Sequence, residues 1–271
     1  MNFNLNEKLL ESNVYVISDV HLGDRTNKDN FNQYEHRFIK FLDFVEKDPN
    51  YLLVINGDLF EFWQCQHGAI FKEYYDLLKR LINMNSVLII GNHDIDLLDL
   101  LDLPVTFPLK DRLCYELSFM RNGNIFRICH GHEFDKYNTA QNVLFGKIGA
   151  LFAAWVEMKV GTRIITPRGE KSTEGVLDMI LRKCAFFFAN IYNSLNPTAR
   201  QRLKDHGNID EYEYNLIQYN KANPRLKLVC GHTHESKTIA DWYFNCGSWQ
   251  ESEAHYVIID KIGKAEVIKF M

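Results

Sequence analysis

Five times along this chain, a short apolar run rich in Val, Ile and Leu stops at a cluster of polar side chains. The runs are "NVYVISDVH", ending in Asp19 and His21; "YLLVINGDLFEFW", carrying Asn56 and Asp58; "SVLIIGNHD", ending in Asn92, His93 and Asp94; "NIFRICHGHE", with His130 and His132; and "LKLVCGHTHE", with His232 and His234. Each run suits a strand covered on both faces. In four of them a glycine falls at or beside the exit, where a tight turn brings the backbone close to something. Burying imidazoles, carboxylates and an amide at strand ends without partners costs several kcal/mol. The exits therefore need a common partner.

Between the first three runs lie segments of helical period. "FNQYEHRFIKFLDFVEKD" puts Phe31, Tyr34, Phe38, Phe41, Leu42 and Val45 on one stripe, and "IFKEYYDLLKRLINMN" does the same with Ile70, Tyr74, Leu77, Leu78 and Leu81. Strand, helix, strand, helix, strand predicts parallel βαβ units, in which ligands gather beyond the carboxyl ends of the strands. The polar clusters sit at those ends. From about Lys237 the pattern changes to antiparallel strands, with a glycine-containing turn at Lys261 to Lys264. The expected fold is a layered α/β structure whose sheets are not purely parallel. At 271 residues and 46% hydrophobic, the chain can bury one large core or two small ones, and it reads as one domain, 1–271.

A formal net charge of −4 favours no particular partner by itself. The start, "MNFNLNEKLLESN", lacks a basic region followed by an apolar run, so no signal peptide is expected. No apolar stretch approaches the ~20 residues that span a bilayer. Cysteines 65, 114, 129, 184, 230 and 246 form no C-x-x-C pair. That spacing predicts reduced thiols in a cytoplasmic protein rather than disulfides or structural zinc.

Asp19, His21, Asp58, Asn92, His130, His232 and His234 together form a donor set suited to Mn²⁺, Zn²⁺, Fe or Co²⁺ rather than Ca²⁺. Seven donors are too many for one catalytic ion with an open position but suit two ions sharing a carboxylate, and such a pair clamps an in-line displacement at phosphorus. A lone strand-end histidine is more often a turn residue than a ligand. The joint occurrence, with every member at a strand exit, reverses that expectation.

The blocks D-x-H, G-D, G-N-H-D, H and G-H-T-H, in this order across residues 19 to 234, resemble the calcineurin-like metallophosphoesterase superfamily. The resemblance implies a four-layer α/β/β/α sandwich with a dinuclear centre on one edge, and manganese is the expected metal, with Fe, Zn or Co as alternatives. Carried over, Asp19, His21, Asp58 and His234 take one ion, Asp58, Asn92, His130 and His232 take the other, and Asp58 bridges. It also implies that His93 is not a ligand but faces the substrate and protonates the leaving oxygen, with Asp94 orienting its ring.

"GDLFEFW" (57–63) and "FNCGSWQES" (244–252) resemble the subgroup that includes UDP-2,3-diacylglucosamine pyrophosphatase, a lipid A pathway hydrolase. Best-known members of that subgroup carry arginine where His93 stands. Residues 135–225 read as a helical insertion beside the metal edge. They hold 13 Lys and Arg against 9 Asp and Glu, a surplus the remainder of the chain lacks. Arg163, Arg168, Lys171, Arg182 and Lys183 are the candidate phosphate contacts there. A basic, aromatic-rich cap suits a phosphate-containing small molecule or a nucleotide-linked lipid; it suits equally a set of helices that merely pack on one another. Its apolar faces also suit peripheral contact with the inner face of the cytoplasmic membrane. A stable nucleic-acid complex is not expected of a chain without a strong basic surplus. The rival readings are a phosphoesterase of other specificity, acting on a nucleotide, nucleic acid or phosphoprotein, and a non-catalytic scaffold that shares the fold. The sequence leaves the oligomeric state open.

Overall fold

The computed structural model describes residues 9, 11–26, 29–98, 112–135 and 211–271. The predicted βαβ units are present. β1 (Asn13–Ile17), β2 (Tyr51–Asn56) and β3 (Ser86–Ile89) pair in parallel, and the short β4 (Leu113–Cys114) extends them. On the other side of β1 the hairpin of β10 (Ala254–Ile259) and β11 (Ala265–Phe270) adds antiparallel strands, giving the order β11-β10-β1-β2-β3-β4. Its turn closes where glycine was expected: Gly263, at φ +80, donates its N–H to the carbonyl of Asp260. A second sheet of five strands runs β5 (Glu116–Arg121), β6 (Asn124–Cys129), β7 (Leu226–Cys230), β9 (Tyr243–Cys246) and β8 (Ser236–Ile239) in spatial order.

Strand parity makes the layers. In β1, Tyr15 and Ile17 face a core that also holds Phe38, Phe41, Leu42 and Val45 of helix α1 (Glu35–Val45). Val14 and Val16 point the other way, into a core shared with Phe126, Ile128, Val229 and Phe244 of the second sheet. Successive strand side chains must alternate faces, so a strand apolar at every position is buried between two layers. The same parity in the second sheet sends Leu228, Cys230 and Tyr243 outward against Leu216 of helix α4 (Glu211–Ala222). Helix, sheet, sheet, helix is the resulting order.

The second predicted helix is two: α2 (His67–Glu73) and α3 (Tyr75–Asn83). The break falls at Tyr74, whose hydroxyl donates to the buried carboxylate of Asp29 at 2.5 Å. Residues 136–210 lie outside the described residues, and so do Arg163, Arg168, Lys171, Arg182, Lys183 and most of the expected insertion. Its described end is the helix α4. Among the described residues no helix is long and apolar enough to cross a membrane, and the five described cysteines are free.

Candidate metal centre

All seven predicted donors gather at one edge, on the loops that leave β1, β2, β3, β6 and β7. His130 Nε2 lies 3.1 Å from Asp58 Oδ2 and 3.0 Å from Asn92 Oδ1, and His232 Nδ1 lies 3.2 Å from that same amide oxygen. On the other side, His234 Nε2 stands 3.2 Å from both Asp19 Oδ1 and His21 Nε2. His21 Nε2 lies 3.7 Å from Asp19 Oδ1 and 3.8 Å from Asp58 Oδ2. Donors ~2.1 Å from a shared ion stand ~3.0 Å apart at right angles and ~3.4 Å apart in a tetrahedron. The separations of 3.0 to 3.2 Å match that spacing, those of His21 to Asp19 and Asp58 exceed it by a few tenths of an ångström, and Asp58 reaches histidines of both groups.

Each carboxylate divides its labour. Asp19 Oδ2 accepts hydrogen bonds from the hydroxyl of Ser18 and from His232 N (2.9 Å), whereas Asp19 Oδ1 is buried and accepts none. Asp58 Oδ1 accepts the N–H of His93 at 2.8 Å, leaving Oδ2 toward the histidines. A buried carboxylate oxygen that accepts no hydrogen bond and faces two imidazole nitrogens, at 3.2 and 3.7 Å, suits a cation shared among the three. Burial opposes ionisation of Asp58, but the charges of His130 and His93 outweigh it and hold the carboxyl far below the usual range. Burial likewise lowers His130, but Asp58 raises it further, to about 10. In the metal-free fold the proton raised on His130 is the partner of the Asp58 carboxylate.

The backbone shows why the motifs need their glycines. Asp19, His21, Asp58, His232 and His234 all have positive φ, between 51° and 69°, a region that costs a non-glycine residue about 1–2 kcal/mol. A side chain at Gly91 would meet Asp58 Oδ1 at 2.1 Å, one at Gly57 would meet His130 Nδ1 at 2.3 Å, and one at Gly231 would meet Ser18 Oγ at 1.7 Å. The glycines clear space for the neighbouring loop's donor.

His93 stands beside the donor groups, partly exposed, its ring stacked on Trp63 at 3.8 Å between centroids. The expectation that Asp94 orients it does not hold. The Asp94 carboxylate is fully buried and accepts the N–H groups of Phe60 (2.8 Å), Leu59 (3.1 Å) and Gly91 (3.3 Å), buckling two loops together. Burial, then the neighbouring Asp58 charge, pushes its carboxyl up to about 7. Glu61 takes the orienting place: its Oε1 lies 2.9 Å from His93 Nδ1 and its Oε2 lies 3.1 Å from His21 Nδ1. Sequence reasoning passed over Glu61. The signal available was a lone charge inside the aromatic run "DLFEFW", three residues after Asp58.

Two more supports also went unread. Asp135 Oδ2 accepts from His232 Nε2 at 2.9 Å. The loop after β9 wraps Asp19, whose carbonyl accepts from Trp249 N and Ser248 Oγ, each at 3.0 Å. Among the described residues, three groups are arranged closely enough to hold a metal ion: Asp19, His21 and His234; Asp19, Asp58 and His130; and His21, Glu61 and His93. The first two fall within the predicted donor set. The third includes His93 and Glu61, which sit behind and beside it.

The profile of the calcineurin-like phosphoesterases matches residues 12–236. Among solved structures, the chain is similar to a dimetal phosphatase from Danio rerio, at 11% identity over 96% of this chain and 98% of that one, TM-score 0.44. It is also similar to Vps29 from Entamoeba histolytica complexed with zinc, at 15% identity, 96% and 99% coverage and TM-score 0.36. A protein serine/threonine phosphatase from Saccharomyces cerevisiae matches at 12% identity, 98% and 81% coverage and TM-score 0.35. No curated protein gives a significant match.

Proposed function

This chain belongs to the calcineurin-like phosphoesterase family, and from that premise we propose that it is a dinuclear metal-dependent hydrolase of a phosphoester or pyrophosphate. The observation that carries the reading is the convergence of donors from five loops around Asp58, with the orphaned Asp19 Oδ1 among them. Asp19, His21, Asp58 and His234 would hold one divalent ion, and Asp58, Asn92, His130 and His232 the other. Manganese is the first choice for such oxygen and imidazole donors, with Fe, Zn and Co as the alternatives. Bound there, the ions supply Lewis acidity and activate water for attack at phosphorus.

The protein's own part is orientation and proton transfer. Glu61 takes the Nδ1 side of His93, so in its imidazolium form the opposite nitrogen would carry the proton given to a leaving oxygen. Trp63 holds the ring plane from behind. Hydrolysis of bis(p-nitrophenyl) phosphate by the full chain with Mn²⁺, abolished by chelation and restored by metal, is the expected result. Absence of turnover of any phosphoester or pyrophosphate with two ions bound would overturn the catalytic reading in favour of a scaffold.

For the substrate, we propose a nucleotide-linked, acylated sugar of the UDP-2,3-diacylglucosamine type, cleaved at its pyrophosphate in lipid A synthesis. The supports are the runs "GDLFEFW" and "FNCGSWQES" and the basic surplus of residues 135–225. The same reading puts the protein in the cytoplasm, in peripheral contact with the membrane, with residues 135–225 as a cap within a single domain. Arg163, Arg168, Lys171, Arg182 and Lys183 would meet the anionic headgroup. Replacing Arg163, Arg168 and Lys171 together by alanine should raise KM for that substrate while leaving the small diester's turnover unchanged. Equal loss on both would remove the cap from substrate binding. Faster turnover of free nucleotides or simple diesters than of the lipid would favour a phosphoesterase of other specificity.

A further inference from the structure

The two ion positions differ in what stands behind their ligands. At the first, Asp19 brings a full charge, His21 Nδ1 is backed by Glu61, and His234 Nδ1 lies 3.6 Å from Glu251 Oε1. At the second, Asp58 is the one charged donor and is shared, and Asn92 is neutral. His130 is backed only by a carbonyl, its Nδ1 lying 2.9 Å from Asn56 O. Among the described residues, the carboxylate behind a second-position ligand is that of Asp135, 2.9 Å from His232 Nε2.

We infer that Asp135 is a positioning residue for the second ion: it holds His232 as the Nε2–H tautomer, so that the Nδ1 lone pair faces Asn92 Oδ1. The inference rests on the dinuclear reading above. A carboxylate accepting the far N–H of a ligating histidine fixes both the tautomer and the ring's orientation and raises the basicity of the ligating nitrogen. At a position otherwise poor in charge, that support decides whether the ion is taken up at low metal concentration.

The surrounding structure is built to hold this contact. Asp135 ends a single 3₁₀ turn, His132–Phe134, with its N–H bonded to the His132 carbonyl at 3.1 Å. The turn starts at Gly131, at φ +108, where a side chain would meet Tyr212 Oη at 2.7 Å. Helix α4 clamps the turn from outside: Asn215 Nδ2 donates to the Phe134 carbonyl at 3.0 Å, and Tyr219 packs on the Phe134 ring. Tyr212 brings its own ring to 6.1 Å from that of His232. Asp135 and Tyr212 thus both lie against the same ligand of the second ion position.

The test is titration of the metal-free full chain with Mn²⁺ alone, followed by calorimetry. The wild type should bind two ions in two steps. Asp135→Asn should weaken the second step by about 10–100-fold and leave the first unchanged, and Asp135→Glu should restore part of the loss. Imidazole ¹⁵N shifts of the wild type give a readout that needs no variant: His232 should be the Nε2–H tautomer. An Nδ1–H tautomer, an unchanged second step in Asp135→Asn, or equal weakening of both steps overturns the inference while leaving the dinuclear reading intact. Uptake of a single ion by the wild type overturns that reading itself, and the inference with it.

Discussion

The loops of the six-stranded sheet and those of the five-stranded sheet bring different chemistry to the shared edge. The first supplies every oxygen donor, Asp19, Asp58 and Asn92, together with His21 and the proton donor candidate His93. The second supplies imidazoles alone: His130, His232 and His234. Neither set alone carries all seven donors of the proposed two-ion centre, so that centre would form only where the sheets are packed face to face. The join is stitched directly beneath the donors. Asn56 Nδ2 donates to the Cys129 carbonyl at 2.9 Å, His130 Nδ1 bonds back to the Asn56 carbonyl, and His232 N donates to Asp19. Below these lies the apolar layer of Val16, Val54, Ile89, Phe126, Ile128 and Val229. Metal binding and sheet packing are therefore linked, since an ion that binds only the folded state stabilises it by mass action.

The sharpest way to break this comparison is at Asp58, the donor that faces histidines of both sheets. Asp58→Ala should lower turnover by ~10³-fold or more, at or beyond the upper range for losing one electrostatic stabiliser, and should reduce Mn²⁺ uptake at both positions. A variant that still bound two ions tightly would show that the sheets fill their positions separately.

The next effect in size belongs to the first sheet alone. At saturating Mn²⁺, which offsets the loss of Glu61 behind His21, Glu61→Gln should cut kcat by ~10²-fold for alkyl phosphodiesters, within the usual range for general acid catalysis. The loss should be much smaller for p-nitrophenyl esters, whose leaving group needs no proton. Asp94→Asn should instead lower the melting temperature, with no dependence on the leaving group, because Asp94 binds backbone amides rather than His93. The opposite pattern would return the orienting role to Asp94.

The pH dependence sharpens the role of the ions. His130 in the metal-free fold is raised to about 10, above its unfolded value of ~6.5. Its contribution to stability is therefore complete below pH ~6.5 and is lost as pH rises through about 10. Melting temperatures of the chelated protein should fall by several degrees between pH 7 and pH 10. With Mn²⁺ replacing the proton as the partner of Asp58, that fall should be much reduced. Parallel curves with and without metal would mean that the ion does not take the proton's place.

What the sequence revealed, and what it hid, follows from the same physics. Strand exits were legible because a doubly buried strand must be apolar throughout, so Asp19, Asp58 and His130 stand out against their own runs. The layers were legible through helical stripes such as Phe38, Phe41 and Val45. The supporting shell was not. Glu61, Asp135 and Ser248 act across 40, 97 and 229 residues of chain, and no local period marks a residue whose partner is set by packing alone. Asp94 misled for the opposite reason. Adjacency to His93 suggested a contact, but the turn faces its carboxylate toward three amides.

The smallest expected effect lies at Trp63, which links the two chemistries from within the first sheet. Its ring stacks on His93 at 3.8 Å and its Nε1 donates to the Asn92 carbonyl at 3.0 Å. It thus touches both the proton donor candidate and the residue whose amide oxygen faces His130 and His232. Aromatic stacking is worth about 0.5–1.5 kcal/mol, so Trp63→Leu should lower kcat by ~2–10-fold through a less well-held His93. Trp63→Phe keeps a stacking ring and removes the hydrogen bond. If the ring matters most, Trp63→Phe retains most of the turnover and Trp63→Leu does not. If both variants instead lose Mn²⁺ at the second position while kcat at saturating metal is unchanged, the indole serves Asn92. The seam between the sheets, rather than the proton donor, would then be what it holds in place.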